Sequence, residues 1–239
     1  MALYDGKGNS IEVGSGNGLE TILPGADIFV FGDSNVYYTY GKALTDIGSV
    51  YYRLWKEFDI NSLTNFGSNG AKSCDMYKAR FKTWALDESN LAKYNKENTI
   101  LIFHCGTNDF SGQWTGEPNL ELDNDATINN SVNAVKLISQ IIEQHYPKAK
   151  YFWVIPTATD WSKWTGSTEP DDRDMAGKYD NIITNLEKWH FPYLDTYNQS
   201  GITTAMLSDG IHLGGGGADY TTIAVEKFYR FLRGKLITL

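Results

Sequence analysis

The stretch Ile28-Phe29-Val30-Phe31-Gly32-Asp33-Ser34-Asn35 joins an apolar run to a short polar turn. Four consecutive apolar residues followed by glycine are typical of a buried strand that ends in a tight turn. Ser34 then lies at the tip of that strand, where a serine is well placed to act as a nucleophile. By itself, a serine in such a turn is more often a helix cap. The interpretation therefore depends on partners elsewhere in the chain.

Partners for Ser34 occur in the segment Asp209-Gly210-Ile211-His212. A serine hydroxyl is a weak nucleophile at neutral pH and needs a base, which in turn needs an acceptor that orients it. Because Asp209 precedes His212 by three residues, its carboxylate can fold back and accept the proton of imidazole Nδ1. Nε2 can then take the proton of Ser34. The alternative is a structural histidine in an ordinary turn.

Donors for a developing oxyanion are available in two further segments, Asn65-Phe66-Gly67-Ser68-Asn69-Gly70 and Gly106-Thr107-Asn108-Asp109. Acyl transfer needs two or three fixed hydrogen-bond donors around the oxyanion that forms on the substrate carbonyl. The candidates are the backbone N–H of Ser34, the backbone N–H of Gly70 and the side-chain amide of Asn108. Gly70 would allow close approach of its backbone, and Asn108 follows a strand candidate. Taken alone, the Asn108 segment would be read as turn residues.

Apolar runs alternate with amphipathic segments from about residue 27 onward. This alternation predicts an α/β domain with a parallel sheet covered on both faces. The strand candidates span residues 28–31, 62–66, 99–105, 151–155 and 191–194. The helix candidates span residues 43–58, 73–86, 126–145, 173–189 and 218–233. Residues 1–26 are predicted to form a hairpin and a linker appended to the domain at 27–239.

Composition restricts the classes of partner. The 239-residue chain has a formal net charge of −8, so it would repel the phosphates of nucleic acid. No segment has the roughly 20 apolar residues that a membrane-spanning helix needs. The amino-terminal residues lack a signal-peptide pattern, although a leader could have been trimmed, and localisation stays open. Cys74 and Cys105 are predicted to be buried free thiols, and we expect neither a metal nor a cofactor.

The four segments resemble, in the same order, the motif blocks of the SGNH or GDSL-type hydrolases, which are lipolytic and carbohydrate esterases. The resemblance covers about residues 27–235. It implies a flavodoxin-like, three-layer fold with a five-stranded parallel sheet. It also implies that Ser34 is the nucleophile, that Asp209 and His212 are acid and base, and that Ser34, Gly70 and Asn108 form the oxyanion hole.

One departure from the family pattern concerns the pocket. Asn35 stands where the family name expects leucine, and Tyr37 is among the tyrosines that replace smaller residues. Two loops at residues 110–125 and 157–172 each contain Trp-Thr-Gly, and loops at the carboxyl ends of strands commonly bind ligands. Their tryptophans Trp114, Trp161 and Trp164 could stack on a sugar or simply pin the loops. We expect Asn35, Tyr37, Trp114 and Trp164 to contact substrate.

The resulting hypothesis is a serine esterase that removes short acyl groups, such as acetyl, from a carbohydrate or another small ester. Polar loops bearing tryptophan and the lack of a long apolar lid favour short acyl groups. The alternatives are a lipase, lysophospholipase or thioesterase of the same family, or a non-catalytic glycan-binding module on this scaffold. The sequence leaves the oligomeric state open.

Overall fold

The computed structural model describes residues 3–4, 10–11, 23–118, 128, 130–168 and 171–239. Near the amino terminus, β1 (Leu3–Tyr4) and β2 (Ser10–Ile11) pair antiparallel, with Leu3 opposite Ile11. The division of the chain at residue 26 remains a prediction. Leu23 and Ala26 are both fully buried and pack in the hydrophobic core of the main sheet.

The main sheet has five parallel strands, which agrees with the α/β prediction. These strands are β3 (Asp27–Gly32), β4 (Ser62–Gly67), β5 (Thr99–His104), β6 (Lys150–Ile155) and β7 (Tyr193–Asp195). Their order is β4-β3-β5-β6-β7, so the first strand of the domain lies between the second and third. This is the flavodoxin-like order, and it places ligands at the carboxyl ends of the strands.

The residues of β3 alternate between two hydrophobic clusters on opposite faces of the sheet. Phe29 and Phe31 belong to one cluster, and Ile28 and Val30 belong to the other. Because successive strand residues point to opposite faces, a continuous apolar run is what a strand covered on both sides requires. The molecule is therefore a three-layer sandwich.

The helices cover both faces of the sheet. The longer ones are α2 (Val50–Phe58), α6 (Ser131–His145), α8 (Ala176–Lys188) and α10 (Ile223–Leu236). The shorter ones are α1 (Ser34–Thr39), α3 (Ser73–Met76), α4 (Lys82–Ala85), α5 (Glu88–Tyr94), α7 (Trp161–Thr165) and α9 (Thr196–Gln199). Core side chains of α6 and α8 lie in the Phe31 cluster, whereas those of α2 and α10 lie in the Val30 cluster.

Several helix boundaries differ from the predicted ones. The helix predicted to begin at residue 43 begins at Val50, because Ser49 caps it by accepting from the N–H of Tyr52 at 3.1 Å. The last helix begins at Ile223 rather than at residue 218, with Thr222 as its cap. Residues 126, 127 and 129 of another predicted helix lie outside the described residues. A π-helical segment, Tyr77–Phe81, joins α3 to α4 inside the predicted helix at 73–86.

In the described part of the chain, no helix is long and apolar enough to cross a bilayer. Cys74 and Cys105 are free and buried.

Candidate active site

Ser34 follows the carboxyl end of β3 as the first residue of α1. The helix cap is the preceding residue, Asp33, whose carboxylate accepts from the backbone N–H of Asn35 at 2.9 Å. Two glycines allow this turn to pack directly on its neighbours. A Cβ at Gly32 would lie 2.0 Å from the carbonyl oxygen of His104, and one at Gly67 would lie 2.2 Å from the backbone nitrogen of Tyr37. Close backbone contact therefore fixes where Ser34 points.

A chain of two hydrogen bonds joins Ser34, His212 and Asp209. The serine Oγ lies 2.8 Å from imidazole Nε2, and imidazole Nδ1 lies 2.7 Å from a carboxylate oxygen of Asp209. Ser34 and His212 are only 5% and 7% exposed, so little water surrounds the pair. The spacing is that of a nucleophile, a base and an orienting acid.

The turn from residue 209 to 212 is held by the same carboxylate. Its other oxygen accepts from the backbone N–H groups of Ile211 at 2.9 Å and His212 at 2.8 Å. Burial raises the pKa of Asp209, but these hydrogen bonds and the imidazole outweigh burial and hold the pKa below its ordinary value. Gly210 has φ of 84°, and an added Cβ would lie 2.4 Å from the carbonyl oxygen of Asp160. Asp209 is thus ionised and fixed.

Asn35 is buried and does not line the cavity, contrary to the expectation that it contacts substrate. Its amide nitrogen lies 3.5 Å from the carbonyl oxygen of Ile211, and its oxygen accepts from the N–H of Leu213 at 3.1 Å. The amide nitrogen also lies 3.4 Å from the hydroxyl of Thr107. Asn35 therefore ties the serine turn to the segment that carries His212.

Asn108 lines the cavity and is 9% exposed. Its amide donates to the carbonyl oxygen of Ala71 at 3.0 Å. Since an amide nitrogen carries two hydrogens, that bond orients the group and leaves the second hydrogen for a ligand. Gly70 also lines the cavity, with φ of 72° and no heavy atom within 4 Å of an added Cβ.

The next residue, Asp109, anchors this loop from beneath. Its buried carboxylate accepts four hydrogen bonds, from the backbone N–H of Ser73 at 2.9 Å, the hydroxyl of Ser73 at 2.6 Å, the hydroxyl of Ser131 at 2.9 Å and the indole of Trp114 at 2.9 Å. A buried carboxylate with this many donors is rigid and costly to remove. It holds the position of Asn108.

A cavity of about 480 Å³ opens in front of these residues. The described residues that line it are Ser34, Tyr38, Asn69, Gly70, Lys72, Asn108, Phe110, Trp161, Trp164, Arg173, Ile211, His212 and Gly216. The structure thus brings Ser34, Gly70, Asn108 and His212 to one cavity. Asp209 lies behind His212.

The two tryptophans named from the sequence have different positions. Trp164 lines the cavity, is 52% exposed, and lies 5.4 Å from the imidazole of His212 between ring centroids. Trp114 is 1% exposed, packs edge-on against Trp153 in the core, and does not face the cavity. The expectation that Trp114 contacts substrate is therefore corrected, because its indole N–H is taken by the Asp109 carboxylate.

Tyr37, which was also expected to contact substrate, does not line the cavity, whereas its neighbour Tyr38 does. The ring of Tyr37 lies 3.4 Å below the ammonium group of Lys42 and is not part of the cavity wall. Tyr38 lines the cavity instead, with its ring 5.7 Å from His212. Helix α1, which the sequence did not predict, turns successive side chains by about 100° and explains the exchange.

His104 lies at the end of β5 but faces away from this cavity. Its ring stacks on Phe228 at 5.2 Å, and its Nδ1 lies 3.4 Å from the hydroxyl of Tyr40. Burial lowers the pKa of His104 to about 3, so the imidazole is neutral. It is a structural histidine.

Several residues of the site were not identified from the sequence. These are Lys72, Phe110 and Arg173, which line the cavity together with Trp161, a tryptophan that the sequence had offered as a stacking residue. The spacing of Trp161 and Trp164, three residues apart, would have placed both on one face of a short helix. Lys72 and Phe110 precede short helices and Arg173 lies in a single 3-10 turn, so no periodicity shows which way their side chains point. In the described residues, no group of three His, Cys, Asp or Glu side chains is arranged to hold a metal.

Comparison with known proteins assigns the family. The model of the GDSL-like lipase/acylhydrolase family matches residues 28–222. The chain belongs to this family of hydrolases. As a GDSL-like acylhydrolase it carries the α/β fold of the family, and the matched region includes Ser34, Gly70, Asn108, Asp209 and His212.

Solved structures of similar fold are distant in sequence. A lipase/acylhydrolase from Enterococcus faecalis is 14% identical, with a TM-score of 0.55, over 89% of this chain and 96% of that one. A protein from Lactobacillus plantarum is 15% identical, with a TM-score of 0.58, over 90% of this chain and 98% of that one. At this identity the likeness concerns the fold alone. No curated protein matches the sequence.

Proposed function

We propose that this GDSL-like acylhydrolase is a serine esterase that forms an acyl enzyme at Ser34. The observation that carries the proposal is the continuous hydrogen-bonded chain from Ser34 Oγ through His212 to Asp209, with distances of 2.8 and 2.7 Å. A buried serine has no structural need of a histidine and a fixed carboxylate in this order. The chain supplies what a serine needs to attack an ester.

In the proposed first half-reaction, Ser34 Oγ attacks the ester carbonyl carbon while its proton passes to His212 Nε2. The carbonyl electrons move onto oxygen, where the backbone N–H groups of Ser34 and Gly70 and the amide of Asn108 would hold the negative charge. The N–H of Ser34 is suited to this, since the first residue of a helix has no acceptor within the helix. Collapse breaks the ester C–O bond, and the alcohol leaves with the proton from His212.

In the second half-reaction, water attacks the acyl carbon and gives a proton to His212. The bond to Ser34 Oγ breaks, the serine regains the proton, and the carboxylic acid departs. Asp209 stays ionised throughout and stabilises the imidazolium that forms twice in each cycle.

We further propose that the acyl group is short and that the alcohol is a carbohydrate. Ile211 is the single aliphatic side chain among the described residues that line the cavity, and two lining residues are cationic. A long acyl chain would need more aliphatic wall to bury its methylenes. The half-exposed ring of Trp164, beside His212, offers a stacking face for a sugar.

The test is a series of 4-nitrophenyl esters from acetyl to decanoyl, together with acetylated oligosaccharides. We expect kcat/KM to be highest for acetyl or propionyl esters, and acetate to be released from at least one acetylated sugar. The Ser34→Ala variant should be inactive on all of them. Preference for octanoyl or longer chains would contradict the short-acyl proposal.

A further inference from the structure

The cavity wall beside Ser34 is cationic in a chain whose formal net charge is −8. Lys72 and Arg173 both line it, and no aspartate or glutamate is among its described lining residues. A wall of one sign in an oppositely charged molecule raises the local concentration of counter-charged ligands. The distribution of charge therefore selects among esters.

Arg173 is fixed in place with donors to spare. Its Nε and one terminal nitrogen donate to the carboxylate of Asp171 at 2.7 and 2.5 Å. The guanidinium lies 3.5 Å above the ring of Trp161. A guanidinium has five N–H donors, so a two-pronged bond to one carboxylate leaves three for a ligand. Because the group is already ordered, binding would cost little side-chain entropy.

Lys72 supplies the second charge. Its ammonium nitrogen lies 4.8 Å from the ring centroid of Phe110, and the Arg173 guanidinium carbon lies 5.4 Å from the same centroid. Phe110 is 42% exposed, so both cationic groups lie close to a ring that a ligand can reach. Within the described ranges, Lys72 Nζ forms no ion pair with a carboxylate.

Of the acidic side chains near this wall, Asp171 pairs with Arg173, whereas Asp172 and Asp174 accept from other groups. Asp172 accepts from the backbone N–H of Ser111 at 2.6 Å. Asp174 accepts from the backbone N–H of Trp161 at 2.8 Å and from the hydroxyl of Thr159. These carboxylates weaken the local field, but they do not line the cavity and so leave the cationic donors facing it.

We infer that the ester hydrolysed at Ser34 carries an anionic group, a carboxylate or a phosphate, which Lys72 and Arg173 bind while Phe110 packs against the adjoining carbon skeleton. This inference rests on the proposed esterase function and specifies its substrate class. Charge-assisted bonds from a fixed guanidinium and a nearby ammonium are the usual means of recognising such groups. The anion can belong to the acyl part or to the alcohol part.

The experiment has one arm for each part of the ester. The alcohol arm compares 4-acetoxybenzoate with neutral 4-acetoxybenzamide, and the acyl arm compares the monophenyl ester of adipic acid with phenyl hexanoate. In at least one arm, wild-type kcat/KM should be about tenfold or more higher for the anion, the effect of one charge-assisted contact. The preference should shrink as ionic strength rises.

The variants are Lys72→Met and Arg173→Met, with Lys148→Met as the matched control. Lys148 is exposed and precedes β6, so it lies at the amino ends of the strands, whereas the cavity lies at their carboxyl ends. Each cavity variant should lower the anion-to-neutral ratio about tenfold, by the same contact, whereas the control should keep it. Lys72→Arg should restore most of the preference. Should Arg173→Met fail to fold, Lys72→Met still decides the matter.

Calorimetric binding of the same four esters to Ser34→Ala protein separates this inference from the proposed function. If wild-type protein cleaves no ester but the Ser34→Ala protein binds an anionic ester more tightly than its neutral partner, the esterase proposal fails and the anion site stands. Equal rates and equal binding for anionic and neutral esters in both arms would overturn the inference. A preference that survives both cavity variants would overturn it too.

Discussion

At the scale of single residues, Ser34 is held by three kinds of contact, which involve its own turn and the segment that carries His212. Asp33 caps the helix that begins at Ser34, His212 faces its hydroxyl, and Asn35 bonds to the segment that carries His212. Each contact restricts a different degree of freedom, namely the backbone of the turn, the side-chain rotamer and the distance to the base. Such preorganisation is what a proposed nucleophile needs.

Replacing Asp209 by asparagine tests the orientation of the imidazole. The amide keeps the shape but removes the charge, and its NH2 group can face Nδ1 and favour the wrong tautomer. We expect kcat to fall by about a thousandfold or more with little change in KM. Steady-state kinetics on 4-nitrophenyl acetate measure the effect. Asp219→Asn, at an exposed turn where the carboxylate bonds Thr221, is the control and should retain its activity.

The stability of the protein should depend on the ionisation of Asp33. Burial raises its pKa from 3.8 to about 6, although hydrogen bonds from Asn35 and Thr107 partly oppose the shift. Between these values the folded protein binds more protons than the unfolded chain, so the free energy of unfolding falls as pH rises from about 4 to 6. The total decline from this group is at most about 3 kcal/mol.

Urea unfolding of wild type and Asp33→Asn between pH 3.5 and 7 measures this contribution. The free energy of unfolding of the variant, relative to wild type, should increase across that interval because asparagine does not titrate. Parallel pH profiles for the two proteins would contradict a raised pKa of Asp33 in the folded protein.

The hydrogen-bonded arrangement of Ser34, His212 and Asp209 could be predicted from the sequence, whereas the residues of the cavity wall could not. Ser34, Asp209 and His212 occur in short motifs in which local spacing almost dictates geometry. Trp114 and Tyr37 depend instead on which way a loop or an unpredicted helix turns a side chain. A buried acceptor such as Asp109, which takes the indole N–H of Trp114, is visible only in three dimensions.

At the scale of secondary structure, the position of α1 against β4 decides where Ser34 lies. The two elements touch through backbone atoms at Gly67 and Tyr37. Side chains elsewhere can adjust to strain by changing rotamer, but backbone in contact with backbone cannot. Small changes at this contact should therefore shift the position of Ser34.

Gly67→Ala tests this contact. The added Cβ would lie 2.2 Å from the backbone nitrogen of Tyr37, so α1 must move away from the sheet. We expect a loss of about 2–3 kcal/mol in the free energy of unfolding, with a lower kcat/KM.

Gly177→Ala is the matched control for this substitution. It lies in α8, where an added Cβ meets no heavy atom of the described chain within 4 Å. Alanine should stabilise that helix by about 0.5–1 kcal/mol. Equal effects of the two substitutions would contradict the account of the contact.

Strands were predicted more accurately than helices, for a physical reason. Strands covered on both faces are continuous apolar runs, and the observed Lys150–Ile155 lies within one residue of its prediction. Helix α1 has six residues and α5 has no buried residue, so neither has a detectable apolar period. Helix α2 begins after Ser49 because the hydroxyl of Ser49 caps it. The sequence alone does not show that this serine, in the middle of the predicted helix, forms a cap.

At the scale of the whole molecule, the sheet order brings distant segments together. The carboxyl ends of β3, β4 and β5 are adjacent, so Ser34, Gly70 and Asn108 meet although they are spread over 75 residues of the chain. Similar folds at 14% and 15% identity show that the fold itself tolerates extensive change of sequence. Topology, rather than any single helix, assembles the site.

Deletion of residues 1–22 tests the predicted division of the chain. Leu23 is retained because it is fully buried in the core. We expect the shortened protein to keep kcat/KM for 4-nitrophenyl acetate within about twofold and to show a change in Tm of only a few degrees. A large loss of stability or activity would mean that the amino-terminal segment is part of the domain.

The most direct test of the central claim is labelling with a fluorophosphonate, which reacts with activated serine hydroxyls. Ser34 of the wild-type protein should be modified stoichiometrically, as read by peptide mass spectrometry. Ser34→Ala should not react, His212→Ala should react far more slowly, and Ser208→Ala, at an exposed serine near the base, should react like wild type. A folded wild-type protein left unlabelled at Ser34, or equal labelling of Ser34→Ala, would contradict the assignment of Ser34 as the nucleophile.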